Sequence, residues 1–273
     1  VQYLAHFDSL TNLPNRLLFN QRLTAALSEP DTQTALLYVD LDNFKDVNDS
    51  LGHPVGDHLL QTVAQTLDIV VGQQGLVARL GGDEFAVICH PESDEALEAL
   101  AEQIIDVLAK TMSINGIDIQ CSASVGVATT ADGPADVSQF QQFADLALYA
   151  AKSSGRRHWR RFDTAMNDAA QVRRMVEFDL RHALSNGELR LHYQPLVDIQ
   201  TSETTGCEAL LRWESPMRGF VQPADFIPVA EESGLIVPIG EWVIREALNE
   251  ARMMPEHMTI SVNLSPLQRR SPN

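Results

Sequence analysis

Four carboxylate side chains fall at two places where the chain is predicted to end a strand or to turn. Asp40 and Asp42 close an apolar, strand-like run, and Asp83 and Glu84 follow a Gly-Gly pair at a predicted hairpin tip. If the hairpin lies beside the strand, Asp40 meets Asp83 and Glu84 at one edge of the sheet. Carboxylates that close repel one another unless a cation neutralises them, and hard oxygen ligands favour Mg²⁺ or Mn²⁺. The pattern therefore indicates a divalent-metal site, with a polar hairpin tip on the surface as the alternative.

Strand and helix patterns alternate through the first half of the chain and would position these acids. Helices are predicted from Pro14 onward and over 54–71, 95–108 and 140–152, and strands at 35–39, 76–80, 85–89 and 117–128. This alternation, with one hairpin in it, predicts an α/β (α+β) fold in which helices cover a mixed sheet.

The pattern changes after residue 162. A charge-rich helix is predicted over 163–186, followed by strands at 189–197, 207–213 and 258–264 and helices at 223–233 and 239–253. This order fits the first part of a TIM-type barrel, which needs about 250 residues to close. We therefore predict a first domain over 1–162, a linker helix over 163–186, and an incomplete second domain over 187–273.

The composition narrows the classes of partner. The chain of 273 residues carries a net charge of −17, which argues against polymeric nucleic acid because a duplex-binding protein needs a basic face. A single nucleotide stays compatible, since a divalent ion and a few Lys or Arg side chains can hold a triphosphate. No stretch approaches the roughly 20 apolar residues of a membrane span. We expect a cytoplasmic fragment with reduced cysteines and no membrane contact, although a region upstream of Val1 could anchor the parent protein.

Five ordered motifs in the first half resemble one family. Arg79–Phe85 (RLGGDEF) reproduces the motif that names the GGDEF diguanylate cyclases, whose fold is of the nucleotidyl cyclase or palm type. The neighbouring segments also match: 8–16, 40–57, 124–127 and 144–156. The resemblance spans about residues 1–162 and implies condensation of two GTP molecules into cyclic di-GMP with release of pyrophosphate.

The resemblance also implies a role for each matched residue. The implied metal ligands are Asp40, the Leu41 carbonyl, Asp83 and Glu84, and the implied catalytic residues are Glu84, Asp83 and Lys45. The guanine edge would be read by Asn48 and Asp57, and the phosphates would be held by Lys45, Lys152, Arg156 and the backbone of Asn43, Phe44 and Lys45. Taken singly, these lysines could equally be solvated, Asn48 a helix cap and Asp57 a first-turn carboxylate.

Two further expectations concern assembly and regulation. One GTP per domain cannot form a cyclic dinucleotide, so two copies must face each other with two-fold symmetry. Many relatives carry an Arg-x-x-Asp site for product inhibition, but this sequence has Gly72-Gln73-Gln74-Gly75 there. We expect no feedback inhibition at that position.

The second half resembles another family. Glu208-Ala209-Leu210 and its neighbours match the EAL cyclic di-GMP phosphodiesterases over about 176–270. The resemblance implies metal ligation by Glu208 and Asn263, and cyclic di-GMP binding by Gln194, Leu210 and Arg212. The remaining ligands and the general base of that family would lie beyond Asn273, so hydrolysis is expected of the parent protein and not of this fragment.

Two other functions are compatible with the same motifs. The first half could be a GTP-binding regulatory module that controls an attached phosphodiesterase without making product. An inert scaffold or cyclic di-GMP receptor is the third possibility, which the intact motifs disfavour. Turnover of GTP distinguishes an active cyclase from a GTP-binding regulatory module.

Overall fold

A computed structural model of the chain describes residues 5–29 and 32–268. The chain divides into two compact units, Val1–Asp168 and Ala169–Asn273. The outer limits predicted for the two domains, residues 1 and 273, lie outside the described residues.

The first unit is a mixed sheet with helices on both faces. Its helices are α1 (Arg16–Leu27), α2 (Phe44–Leu51), α3 (His53–Val71), α4 (Asp94–Leu108) and α5 (Val137–Ser153). Its strands are β1 (Ala35–Leu41), β2 (Gly75–Gly81), β3 (Glu84–Cys89), β4 (Thr111–Ile114), β5 (Ile117–Gln120), β6 (Ala123–Thr129) and β7 (Trp159–Arg161). The main sheet has the order β2-β3-β1-β6-β7, and β6 and β7 are parallel whereas the other neighbours are antiparallel. The predicted α+β class is confirmed.

Strand β1 is buried on both faces because helices pack on each side of the sheet. Leu37 and Val39 belong to one core cluster, which includes residues of α3 and α4. Leu36 belongs to the other, with Phe19 of α1 and Phe140 of α5. Side chains alternate along a strand, so Asp40 points to the same face as Leu36, toward α1 and α5.

The predicted single strand over 117–128 is wrong. The segment forms two strands, because β5 pairs with β4 in a separate hairpin whereas β6 pairs with β1. The β4–β5 turn uses Asn115 and Gly116, both with positive φ. Between the strands, the Ser122 carbonyl accepts a hydrogen bond from the Asp42 N–H at 2.8 Å, which fixes the point where the chain enters the main sheet.

Helix α6 (Thr164–Ala183) contains the division between the units, and its later part packs in the second unit. There it is followed by β8 (Leu189–Val197), β9 (Thr204–Ser215), β10 (Gly219–Val221), α7 (Pro223–Ser233), α8 (Ile236–Ala251) and β11 (Thr259–Val262). The core surrounds Trp213, whose ring meets Phe226 edge to face at 5.6 Å. Strand β11 runs parallel to β9, and the sheet with its following helices is consistent with the opening part of a barrel.

Within the described residues, no helix is both long and apolar enough to cross a lipid bilayer.

Gly126 tests how closely α5 must pack on the sheet that carries Asp40. A methyl group at this position of β6 would collide with backbone atoms of Ala144 and Leu148 in α5. We expect Gly126→Ala to lower the free energy of unfolding by about 2 kcal/mol or more, because backbone atoms cannot move aside as a flexible side chain can. Chemical denaturation measures this change. Ile69→Ala, at an exposed position, is the control and should change stability by less than about 0.5 kcal/mol. Equal stability of the two variants would contradict the packing described.

Candidate active site at the end of strand β1

The pairing of β1 with β3 brings the acidic residues together. Asp40 lies directly opposite Glu84 in the antiparallel register. One step further, the Leu41 N–H donates to the Asp83 carbonyl at 3.3 Å. Opposite residues of an antiparallel pair point to the same face, so the side chains of Asp40 and Glu84 share one side of the sheet.

Asp40 is buried and forms an ion pair with the last turn of α5. Its Oδ2 lies 2.7 Å from the Lys152 Nζ. Burial raises the pKa of Asp40, the hydrogen bond and positive charge of Lys152 oppose that rise, and the negative charges of Asp83 and Glu84 add to it. The three carboxylates are therefore close enough to influence one another, and Lys152 supplies the compensating positive charge.

The donor set at this edge suits a hard divalent cation. Asp40 and Leu41 end β1, Glu84 begins the paired strand β3, and Asp83 lies in the turn just before it. Mg²⁺ and Mn²⁺ prefer the carboxylate and carbonyl oxygens that these residues offer. In the described part of the chain, no group of three or more His, Cys, Asp or Glu side chains is gathered tightly enough to hold a metal ion. The chemistry of these residues suits a divalent ion, but in this structure they are not gathered into a metal-binding cluster and Asp40 is paired with Lys152.

The tip of the β2–β3 hairpin is fixed by a clamp of two arginines. The Arg79 guanidinium donates to the Gly82 carbonyl at 2.7 and 3.1 Å and reaches Asp8 Oδ1 at 2.9 Å. Arg16, at the start of α1, donates to the Leu80 carbonyl at 3.1 Å and lies 3.5 Å from Glu84. Gly82 has a φ of +54°, a conformation that favours glycine. The N-terminal turn therefore sets the position of the tip.

Asp8 holds the other end of this clamp. It accepts hydrogen bonds from the N–H and hydroxyl of Thr11 at 2.9 and 2.7 Å, in addition to the Arg79 contact. Burial is the largest single influence on its pKa and raises it. The hydrogen bonds from Thr11 and Arg79 together outweigh burial and lower the pKa below the ordinary value of 3.8.

Asn48 and Asp57 lie at the junction of α2 and α3. The sequence does not predict α2, whose N-cap residue, Asn43, adopts a left-handed conformation (φ +58°). Asn48 lies against the first turn of α3, since a methyl group on Gly56 would collide with its amide oxygen. Asp57 is the next residue of that turn and is exposed, as is Lys45 on α2. The amide and the carboxylate are thus carried by the same junction.

The loop after α5 carries Arg156. Arg156 and Arg157 both have positive φ, +61° and +59°. The Arg157 N–H donates to Asp42 Oδ2 at 3.3 Å, and Asp42 also accepts from the hydroxyls of Ser122 and Ser124 at 2.9 and 2.8 Å. Asp42 therefore binds protein groups, whereas Asp40 faces the hairpin. Sequence reasoning gave Asp42 no role of its own, and only its two-residue spacing from Asp40 pointed to it.

The segment before β2 differs from the Arg-x-x-Asp pattern in its backbone as well as its residues. Gly72 has a φ of +52° and opens a short 3₁₀ turn to Gln74. A methyl group on Gly75 would collide with the Ile88 carbonyl. Larger residues at these two positions would require the backbone to shift.

In the second unit, the residues singled out from the sequence share one face of the sheet. Glu208, Leu210 and Arg212 alternate along β9, and Gln194 of β8 lies opposite Glu208. Asn263, just after β11, donates from Nδ2 to Glu208 Oε1 at 2.7 Å. Trp213 and Ala209 are buried and point to the other face.

The fold and the site together define a nucleotide-cyclase type of domain followed by the start of a barrel, and comparison with known proteins identifies both. The model of the family described as "Diguanylate cyclase, GGDEF domain" matches residues 5–158, and that of the EAL domain matches 177–273. The chain belongs to the GGDEF family and carries the tandem GGDEF–EAL arrangement.

Relatives with this arrangement have different described activities. The bifunctional diguanylate cyclase/cyclic di-GMP phosphodiesterase MucR of Pseudomonas aeruginosa is 40% identical over 97% of this chain and 40% of its own length. The cyclic di-GMP phosphodiesterase PdeR of Escherichia coli is 38% identical over 98% of this chain and 41% of its own. The chain thus spans about two fifths of these relatives.

Among solved structures, the GGDEF domain of YfiN (TpbB) from Pseudomonas aeruginosa superposes with a TM-score of 0.59. The two are 35% identical, and the match covers 61% of this chain and 99% of the YfiN chain.

Asp8→Asn tests the clamp on the hairpin tip. The variant should lose about 1 to 2 kcal/mol of unfolding free energy at pH 7, because Asp8 accepts charge-assisted hydrogen bonds in the folded state. The folded-state pKa of Asp8 is lowered, so its contribution is present above pH 3.8 and disappears as pH falls through the lower folded value. Denaturation of both proteins from pH 7 to pH 3 measures the difference. A stability gap that widened toward low pH would contradict this account.

Proposed function

We propose that the first unit is a diguanylate cyclase that condenses two GTP molecules into cyclic di-GMP and releases two pyrophosphates. The observation that carries the proposal is the placement of Asp40 opposite Glu84 at the hairpin tip, with Lys152 beside Asp40. The family of the chain and the name of its relative MucR support the same activity. A cytoplasmic location, where GTP is available, is part of this proposal.

In this proposal the acidic edge holds Mg²⁺ or Mn²⁺ against the triphosphate. Asp40, Asp83, Glu84 and the Leu41 carbonyl would be its ligands. The ion would supply Lewis-acid chemistry, lowering the pKa of the attacking 3′-hydroxyl and offsetting charge on the leaving pyrophosphate. Glu84 is exposed beside the site, where it can accept the proton of that hydroxyl.

Positive groups around this edge would bind the phosphates. Lys152 already lies beside Asp40, and Lys45 and Arg156 are exposed on elements that follow β1 and α5. The backbone N–H groups of Asn43, Phe44 and Lys45, at the start of α2, would add uncharged donors. An overall negative charge of −17 therefore does not prevent binding of a triphosphate, because the cations are local.

The junction of α2 and α3 would select guanine. The Asn48 amide can pair with a guanine acceptor, and the Asp57 carboxylate can accept from guanine N–H groups. Adenine would leave both unpaired, and a site built to hydrogen-bond its substrate rejects such an analogue strongly. Both 3′-hydroxyls must attack, so the active species in this proposal is a homodimer with two sites face to face.

Turnover of GTP is the decisive test. We expect the protein with GTP and Mg²⁺ to form cyclic di-GMP, detected by chromatography of the nucleotides. Asp83→Ala and Glu84→Ala should each lower the rate by at least about 100-fold, because each removes a group that acts on the developing charge. Asp118→Ala, at an exposed acid of β5, is the matched control and should retain the rate. Survival of activity in both hairpin variants would show that the metal site is misassigned.

One observation favours a second candidate function. PdeR, whose match covers 98% of this chain, is described as a phosphodiesterase alone. In that case the first unit would bind GTP and regulate an attached phosphodiesterase. Binding of GTP without formation of cyclic di-GMP, under conditions where the dimer forms, would support this candidate and reject the first.

The second unit would contribute part of a cyclic di-GMP phosphodiesterase site in a longer protein. Glu208 and Asn263 would bind its metal, and Gln194, Leu210 and Arg212 would contact the dinucleotide. What supports this assignment is the common sheet face of Gln194, Glu208, Leu210 and Arg212, and the 2.7 Å hydrogen bond from Asn263 to Glu208.

A further inference from the structure

Asp42 is a buried carboxylate that the proposed chemistry does not use. It lies two residues beyond Asp40, just past the end of β1. Its two oxygens accept hydrogen bonds from Ser122 Oγ, Ser124 Oγ and the Arg157 N–H. A buried carboxylate is costly unless such donors satisfy it, so these contacts hold the Asp42 side chain in one orientation.

The loop that Asp42 contacts has a strained backbone. Arg156 and Arg157 both adopt the left-handed conformation, which residues other than glycine adopt rarely, and here two do so in succession. Strain of this kind persists only where the surrounding structure holds it. Three contacts hold the backbone here. The Arg156 N–H donates to the Ala151 carbonyl at 3.2 Å, the Arg157 N–H donates to Asp42, and the Arg156 carbonyl lies 2.6 Å from His158 Nδ1.

The contacts to Ala151 and Asp42 tie the loop to different elements. The Ala151 contact joins the loop to the end of α5, so it holds the loop only relative to that helix. The Asp42 contact joins the loop to the end of β1, the strand that carries Asp40. Asp42 is held in turn by Ser124 of β6 and by Ser122, the residue just before that strand. Asp42 therefore joins the loop to the end of β1, whereas the His158 carbonyl, which accepts from the Val125 N–H at 3.1 Å, joins the residue after the loop to β6.

We propose that Asp42 is a positioning residue that holds the Arg156–Arg157 loop against the end of β1. It acts through the Arg157 N–H and does not touch substrate. Through it, the phosphate-binding Arg156 and the acidic edge at Asp40 engage the same nucleotide. This inference rests on the proposed function, which assigns Arg156 to the phosphates.

Asp42→Asn tests the inference, because the amide keeps the shape of the side chain but loses its charge and one acceptor oxygen. We expect the affinity for a non-hydrolysable GTP analogue to fall about tenfold, because one charge-assisted hydrogen bond is lost. Affinity for guanosine, which has no phosphate, should change by less than about twofold, since α2 and α3 would bind the base. Competition binding measures both. Asp118→Asn is the control and should change neither affinity.

A readout without nucleotide separates this inference from the proposed function. Hydrogen exchange of the Arg157 amide should be at least about tenfold faster in Asp42→Asn, because its acceptor is weakened. Ser124→Ala, which loosens Asp42 but keeps its charge, should produce the same selective changes to a smaller degree and serves if Asp42→Asn does not fold.

Arg157→Gly supplies the sharpest comparison. Glycine adopts the left-handed conformation without strain, so this change lowers the need for Asp42. In the Arg157→Gly background, Asp42→Asn should lower the affinity for the GTP analogue by no more than about threefold. The proposal is overturned if Asp42→Asn lowers the affinity for both ligands equally, or if the Arg157 amide exchanges at its original rate. It is also overturned if Asp42→Asn lowers the affinity for the analogue as much in the Arg157→Gly background as in the unaltered protein. An unaltered protein that fails to bind the GTP analogue would instead reject the proposed function.

Discussion

Repulsion among carboxylates at the end of β1 is the constraint on which the rest of the site depends. The β1–β3 register places Asp40 opposite Glu84, and burial of Asp40 makes its negative charge costly. Lys152 offsets that charge from the last turn of α5. A site that concentrates negative charge in this way is suited to a divalent cation, and the proposed activity follows from that cation and the phosphates it would hold.

The elements around this edge serve to keep the acids in place. Helix α5 packs so closely on β6 at Gly126 that its last turn can deliver Lys152 to Asp40. On the opposite side, Arg79 and Arg16 fix the hairpin tip to the N-terminal turn. Because Asp8 anchors Arg79, the N-terminal turn and the hairpin tip are joined by a short series of hydrogen bonds.

Local signals in the sequence were sufficient to predict β1, the hairpin and their acids. A buried apolar run and a Gly-Gly turn each leave a pattern within a few residues. Asp42 could not be assigned in this way, since its partners Ser122 and Ser124 lie 80 and 82 residues away and meet it only after β1 pairs with β6. Helix α2 was missed because it has no buried residue, and the break between β5 and β6 was hidden because apolar alternation continues on both sides of it.

Diffraction from crystals grown with Mn²⁺ and a non-hydrolysable GTP analogue, with the anomalous signal of manganese, locates the metal directly. We expect a manganese peak about 2.1 Å from a carboxylate oxygen of Asp40 and from one of the hairpin acids, with the triphosphate completing the shell. Bound nucleotide with the manganese remote from Asp40, or with Asp40 still paired only to Lys152, would contradict this expectation.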